Sequence, residues 1–169
     1  AQFILGLIYY EGDHIPQDIN KAVYYFTLVA NQNIAEAQYN LGLIYYEGKY
    51  IAQDIQKTIH YLTLAANQNN TRAQCDLGSI YYEARFVVRD INKSLYYFTL
   101  AAKQNDPYAL YSIGVIYDEG KYILRNIRKA IHYYTLAANH NIPEALLNLA
   151  LIYEEGIYVQ RDMNKAIRY

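Results

Sequence analysis

Read at intervals of 36 residues, the chain repeats itself. Gly6, Gly42, Gly78 and Gly114 fall in one column, which Ala150 closes. Gly12, Gly48, Gly120 and Gly156 make a second, with Ala84 as the exception, and Asn33, Asn69, Asn105 and Asn141 make a third. A fixed period of roughly 20–50 residues marks stacked repeats, in which each unit buries its apolar face against its neighbours. The 169 residues hold about 4.7 such units, spanning roughly 1–33, 34–69, 70–105, 106–141 and 142–169 of a single domain. Ala1 aligns with Ala37 and Tyr169 with Tyr133, both inside a unit, so the sequence reads as a piece of a longer chain.

Within a unit, two helical patterns follow one another. Ala37, Leu41, Ile44 and Tyr45 sit at i, i+4, i+7 and i+8, one stripe of an amphipathic helix, and the stripe recurs from Ala73 and from Ala109. Asp106 before Pro107 predicts an N-cap with proline at the first helical position, and Asn70 caps in the same way. Ile34 and Ile142 share that column and have no side chain to cap with. The glycines of the 48-type column predict a left-handed helix end, which Ala84 must reach under strain. After a short loop, Asp18, Asp54, Asp90, Asn126 and Asp162 predict the N-cap of a second helix. Its apolar positions include Ile55, Ile59, Leu62 and Ala66, with Thr58 and Tyr61 on adjoining faces. The helix ends at the asparagine column, since asparagine tolerates the left-handed position best after glycine.

Gly42 falls in the middle of the first helix, where glycine costs about 1 kcal/mol against alanine. The expectation is that a ring of the Tyr61 type crosses this bare backbone, because burying such a side chain gains roughly 2–3 kcal/mol.

Composition narrows the partners. The formal net charge is −1, so no global field draws nucleic acid or an anionic membrane. No apolar run approaches the roughly 18 residues that a membrane-spanning helix needs, so membrane insertion is not expected. The 22 tyrosines have two compatible readings, AT-rich coding and a tyrosine-rich binding surface. One cysteine, Cys75, excludes an internal disulfide framework and favours a reducing compartment such as the cytoplasm.

The pattern Ala37, Leu41, Gly42, Tyr45, Gly48, then Asp54, Lys57, Thr58, Tyr61, Ala65 and Ala66 resembles the Sel1-like repeat, a relative of the tetratricopeptide repeat. The resemblance covers the whole chain. It departs from the family at the asparagine column, where glycine is usual, at Thr58 and Ser94 in place of alanine, and at Ala84 and Ala150 in place of glycine. The resemblance implies an all-α solenoid, a right-handed superhelix of helix pairs whose first helices line the concave side. It also implies a non-enzymatic adaptor or scaffold. A disulfide-rich branch of the family has been linked to β-lactams, but this chain lacks its cysteine pairs.

Candidate chemistry is sparse. His14, His60, His132 and His140 form no metal-binding spacing, and there is no nucleophile–base pattern or phosphate loop, so no catalytic residue, metal or cofactor is expected. Glu11, Glu47, Glu83, Glu119 and Glu155 form a carboxylate column that reads as structural, and Cys75 shares a packing column. Arg89, Arg125 and Arg161 read as a solvated, mildly basic edge.

The informative surface is a first-helix stripe: Phe3, Leu7 and Tyr10, then Tyr39, Leu43 and Tyr46, then Tyr82, then Tyr111 and Val115. Tyrosine supplies large area, little rotamer entropy and a polar tip. The stripe is therefore the candidate groove for a partner peptide, helix or domain, including a further domain of the same longer chain. The alternative is that the 39-type column packs on the neighbouring first helix and only the 43 and 46 types face outward. A spacer role within a large assembly is the other functional reading, motivated by the near-identity of the units.

Overall fold

A computed structural model describes residues 1–13, 15–157 and 159–169. His14 lies outside the described residues. Among them are ten helices and no strand: α1 Gln2–Glu11, α2 Ile19–Ala30, α3 Ala35–Glu47, α4 Ile55–Asn67, α5 Thr71–Glu83, α6 Ile91–Lys103, α7 Pro107–Glu119, α8 Ile127–Ala138, α9 Pro143–Glu155 and α10 Met163–Arg168. Odd-numbered helices are the first helix of each repeat and even-numbered ones the second. The contacts divide the chain into two compact units, residues 1–80 with 85–87, and residues 81–84 with 88–169. In the first unit α1 packs on α2, α2 on α3 and α3 on α4; in the second, α6, α7, α8, α9 and α10 pack in succession.

The helix boundaries follow from local backbone chemistry. Gly12, Gly48, Gly120 and Gly156 take φ between 59° and 76°, and Ala84 takes the same left-handed turn at φ 58°. Asn33, Asn69, Asn105 and Asn141 lie at φ 59–62°. The capping side chains act as the sequence predicts: Asp18, Asp54, Asp90, Asn126 and Asp162 each accept from the amide three residues on. Asp106 accepts from the Ala109 amide at 2.8 Å and Asn70 from the Ala73 amide at 2.9 Å, while Ile34 and Ile142 cap nothing. The hairpin is closed by one recurring backbone bond. The amides of Asp18, Asp54, Asp90, Asn126 and Asp162 donate to the carbonyls of Tyr9, Tyr45, Tyr81, Tyr117 and Tyr153, at 2.8–3.2 Å.

The core of the first unit is built from Ile19, Ala22, Phe26, Val29, Ala30, Ala37, Leu41 and Ile44. That of the second contains Leu110, Ala130, Tyr134, Ala137, Ala138, Ala145 and Leu149. The side chain that crosses the helical glycine is not of the Tyr61 type. A Cβ at Gly42 would stand 2.7 Å from Leu62, one at Gly6 2.7 Å from the Phe26 ring and one at Gly114 2.5 Å from Tyr134. One residue on a helix is about 100° of rotation, so position 62 points at the glycine and position 61 does not. Tyr61 instead stacks on Tyr45, with centroids 6.0 Å apart and planes within 4°.

That stack is a fixed part of every hairpin. The pairs Tyr9–Tyr25, Tyr45–Tyr61, Tyr81–Tyr97, Tyr117–Tyr133 and Tyr153–Tyr169 lie 5.8–6.3 Å apart, within 11° of parallel. A lysine ammonium (Lys21, Lys57, Lys93, Lys129 or Lys165) covers the first ring of each pair at 4.6–5.0 Å. A cation over a ring face is attracted by its quadrupole, by roughly 0.5–1 kcal/mol at exposed sites. Thr58, expected on an adjoining face, is fully buried, while Ile55 and Ile59 are only half-buried. Its hydroxyl donates to the Asp54 carbonyl at 2.9 Å, which satisfies the one polar atom of the side chain.

Candidate partner-binding surface

The first helices place the stripe residues at unequal depths. Phe3, Leu7, Tyr10, Leu43 and Tyr46 are half-buried in the first unit, whereas Tyr39 is buried, at 7% exposure. In the second unit Tyr82, Tyr111 and Val115 are half-buried. Phe3, Leu7 and Tyr10 pack on the first core, and Tyr111 and Val115 on the second. Phe3 tilts against Phe26 with centroids 5.7 Å apart, and Tyr111 against Tyr134 at 5.8 Å.

Tyr39 is covered from the next first helix. The Arg72 guanidinium lies over its ring at 4.6 Å and also pairs with Glu36 at 2.5 Å. The Asp76 carboxyl lies beside the Tyr39 hydroxyl, and its oxygen Oδ2 is enclosed with no partner. Burial pushes the Asp76 carboxyl above its usual range, opposed by the Tyr39 hydroxyl and the Arg72 charge. Burial, then the Asp76 charge, pushes the Tyr39 hydroxyl up as well.

Further along the helix, tyrosine hydroxyls reach the next repeat. Tyr10 donates to Glu47 at 3.4 Å, and Tyr82 to Glu119 at 2.7 Å. Both hydroxyls are pushed up, chiefly by burial and then by these carboxylates. Glu47 and Glu119 thus act as acceptors between repeats, the structural role their column suggests.

A rim of loop aromatics completes the surface. Phe86 meets Tyr46 edge-on at 6.2 Å, and Tyr122 meets Tyr82 edge-on at 6.4 Å, with the Arg89 guanidinium 4.2 Å over Tyr122. In the sequence Tyr50, Phe86 and Tyr122 form an aromatic loop column that lies outside the first-helix stripe. The loop column of Arg89 and Arg125 is not a free basic edge. Gln17, Gln53 and Arg89 donate to the carbonyls of Tyr10, Tyr46 and Tyr82 at 2.6–2.7 Å, and Arg125 pairs with Asp118 at 2.7 Å. Gln17, Gln53 and Arg89 thus satisfy acceptors at the ends of α1, α3 and α5, where carbonyls lack helical partners.

Two buried amides also went unread. Gln38 donates to the Ala30 carbonyl at 3.2 Å and accepts from Gln68 at 2.6 Å, and Gln74 donates to Ala66 at 3.0 Å. They tie a first helix to the end of the second helix before it.

No group of three or more His, Cys, Asp or Glu among the described residues could hold a metal ion. His60, His132 and His140 are exposed, the first two edge-on to Tyr61 and Tyr133, and Cys75 is buried. Among the described residues no helix is long and apolar enough to cross a membrane.

Capped helix hairpins repeated every 36 residues, with aromatic and aliphatic side chains along the first helices, define a helical-repeat protein. The Sel1 repeat model matches residues 1–34, 35–70, 71–106, 107–142 and 143–169, and the chain belongs to the Sel1 repeat family. Sel1 repeat proteins are generally protein–protein interaction scaffolds and typically non-catalytic. Among solved structures, the chain is similar to c5321, described as a protective antigen of uropathogenic Escherichia coli displaying an SLR fold. There the TM-score is 0.91 and the identity 30%, over 98% of this chain and 35% of that one. A Sel1 repeat protein from Oxalobacter formigenes matches with a TM-score of 0.82 at 30% identity, over 99% of this chain and 69% of that one. Cysteine-rich protein B of Helicobacter pylori shares the fold, with a TM-score of 0.58 at 23% identity, over 79% of this chain and 96% of that one. The chain thus spans about a third of the first of these structures and about two thirds of the second. A comparison with curated protein sequences gave no match.

Proposed function

We propose that the first-helix face is the groove by which this chain holds a partner protein, as a peptide, helix or domain. The observation that carries the reading is the half-buried series Leu7, Tyr10, Leu43 and Tyr46, edged by Phe86 in the first unit, with Tyr82, Tyr111, Val115 and Tyr122 as its counterpart in the second. Half-exposed aromatics held rigidly by hydrogen bonds present contact area with little entropy left to lose on binding. The groove works as a scaffold and performs no chemistry of its own.

The test is affinity capture of the full-length protein with mass spectrometry, wild type beside a Leu43→Asp, Tyr46→Glu double variant that keeps its helical circular dichroism. A partner captured by wild type and lost by the variant supports the groove. An identical set from both removes this face as the site.

A second reading is a spacer that sets distances within a large assembly. It is favoured by the Lys–Tyr–Tyr stacks, which recur in all five repeats with the same geometry and leave little that is particular to one repeat.

A further inference from the structure

The net charge of −1 conceals a division between the two helices of each repeat. Of the 15 lysines and arginines, the first helices carry one, Arg72, while the second helices carry eight. Of the 16 aspartates and glutamates, the first helices carry ten and the second helices none. The remaining charges are balanced in the loops, six of each sign.

Local pairing offsets part of the acidity on the first helices. Arg72 is taken by Glu36, Arg125 by Asp118, and Lys49 lies within electrostatic reach of Glu47 and Tyr10. Glu11, Glu144, Glu154 and Glu155 have no ion-pair partner among the described residues.

The glutamates also sit at the wrong end of their helices. Glu11, Glu47, Glu83, Glu119 and Glu155 are each the last residue of a first helix, where the macrodipole is negative and a carboxylate is disfavoured. At Glu47 and Glu119 a tyrosine hydroxyl of the preceding repeat compensates. At Glu155 that compensation is missing, because Asp118 stands where Tyr10 and Tyr82 stand earlier, and the glutamate is present all the same. A carboxylate placed against local preference, and kept where its internal partner is gone, points outward to a cationic group.

We infer that the segment held by the first-helix face of each unit is cationic and amphipathic, with apolar anchors for Leu7 and Leu43 in the first unit or for Val115 in the second, and lysine or arginine side chains for the glutamates that end those helices. The inference rests on the groove reading above and names the chemistry of its occupant. Paired in this way, the charges steer encounter and select the partner, while the apolar stripe supplies most of the affinity.

The experiment is fluorescence anisotropy on the full chain with labelled helical peptides that share one leucine face and differ in their polar positions: all Lys, all Gln or all Glu. The Lys peptide is expected to bind at least about tenfold tighter than the Gln peptide, less so as salt rises, with the Glu peptide weakest. Glu11→Gln with Glu155→Gln, at carboxylates that hold no tyrosine of the groove, are expected to lower the Lys preference. The Leu43→Asp, Tyr46→Glu variant separates the two levels of the claim, because it adds negative charge while removing the anchors. It is expected to weaken the Lys peptide by about tenfold or more. Equal binding of Lys and Gln peptides, both lost in that variant, overturns the cationic chemistry and leaves the groove standing. Tighter binding of the Lys peptide to that variant shows attraction without docking and overturns both.

Discussion

The Tyr82 hydroxyl donates to the carboxylate of Glu119, 37 residues further on, at 2.7 Å. One repeat period plus one residue carries the bond from the last turn of one first helix to the end of the next. The earlier Tyr10–Glu47 pair has the same separation at 3.4 Å. A hydrogen bond to a charged group is worth roughly 1.5–3 kcal/mol when shielded, and less at an exposed site such as this. Tyr82→Phe should therefore lower the unfolding free energy by about 1 kcal/mol, and Tyr10→Phe by less. A double-mutant cycle of Tyr82→Phe with Glu119→Gln in urea should return a coupling of about 0.5–1 kcal/mol. A coupling of zero means that the hydroxyl and the carboxylate do not meet in solution.

Alkaline pH should unfold the chain as its tyrosines ionise. Tyr10, Tyr39, Tyr61, Tyr82, Tyr111 and Tyr134 all have hydroxyl pKa values raised, with burial the largest cause at each. A group with a raised folded pKa binds its proton more tightly in the native state. Its contribution is present in full below the unfolded tyrosine value of about 10 and is lost as pH rises from there through the folded values. Spectrophotometric titration should show one class of tyrosines ionising near pH 10 and a second that ionises together with loss of helical circular dichroism. A single class titrating with the helices intact contradicts the packing.

Ala84 holds φ 58° where Gly12, Gly48, Gly120 and Gly156 occupy the same column. The left-handed region costs an L-residue about 1–2 kcal/mol, and glycine escapes most of that cost. Ala84→Gly should raise the urea midpoint with unchanged slope, a gain of about 1 kcal/mol after the added freedom of the unfolded chain is set against it. A loss of stability means that the turn relaxes when alanine occupies it.

Asp76 keeps one carboxylate oxygen enclosed without a partner, and the corresponding positions in the second and fifth repeats are Asn40 and Asn148. Its raised pKa fixes the sign. The protonated form suits the fold, so the contribution is present below the unfolded value of about 4 and is lost as pH rises through the folded value. Asp76→Asn should thus stabilise the protein by about 1 kcal/mol at neutral pH and leave it unchanged at acid pH, where the wild-type carboxyl is already neutral. Thermal unfolding of both proteins across this range checks the difference.

What the sequence makes legible divides along a physical line. Helix ends were readable because they depend on one residue's own backbone and side chain: Asn33 and Gly48 in left-handed turns, Asp54 and Asp106 as caps. Positions that depend on the rotation of one helix against another were not. Leu62 rather than Tyr61 meets Gly42, a single-residue error that turns a side chain by about 100°. Burial of the Gln38 amide depends on a free carbonyl at Ala30, which no composition rule announces. Within the candidate surface, the half-buried positions of Leu43 and Tyr46 follow from helical spacing. The cover of Arg72 over Tyr39 requires knowing where the next repeat sits, and Phe86 belongs to a loop whose path the 36-residue period alone does not fix.

The most direct measurement of the central claim is site-specific photo-crosslinking in cells with the full-length protein. A photoreactive residue would be placed at Leu43 and at Val115 on first helices, and at Tyr24 and Tyr96, which are exposed on second helices. Adducts from positions 43 and 115, and none from 24 or 96, are the predicted result. Adducts from 24 and 96 with none from 43 or 115 would contradict the account and move the binding face to the second helices.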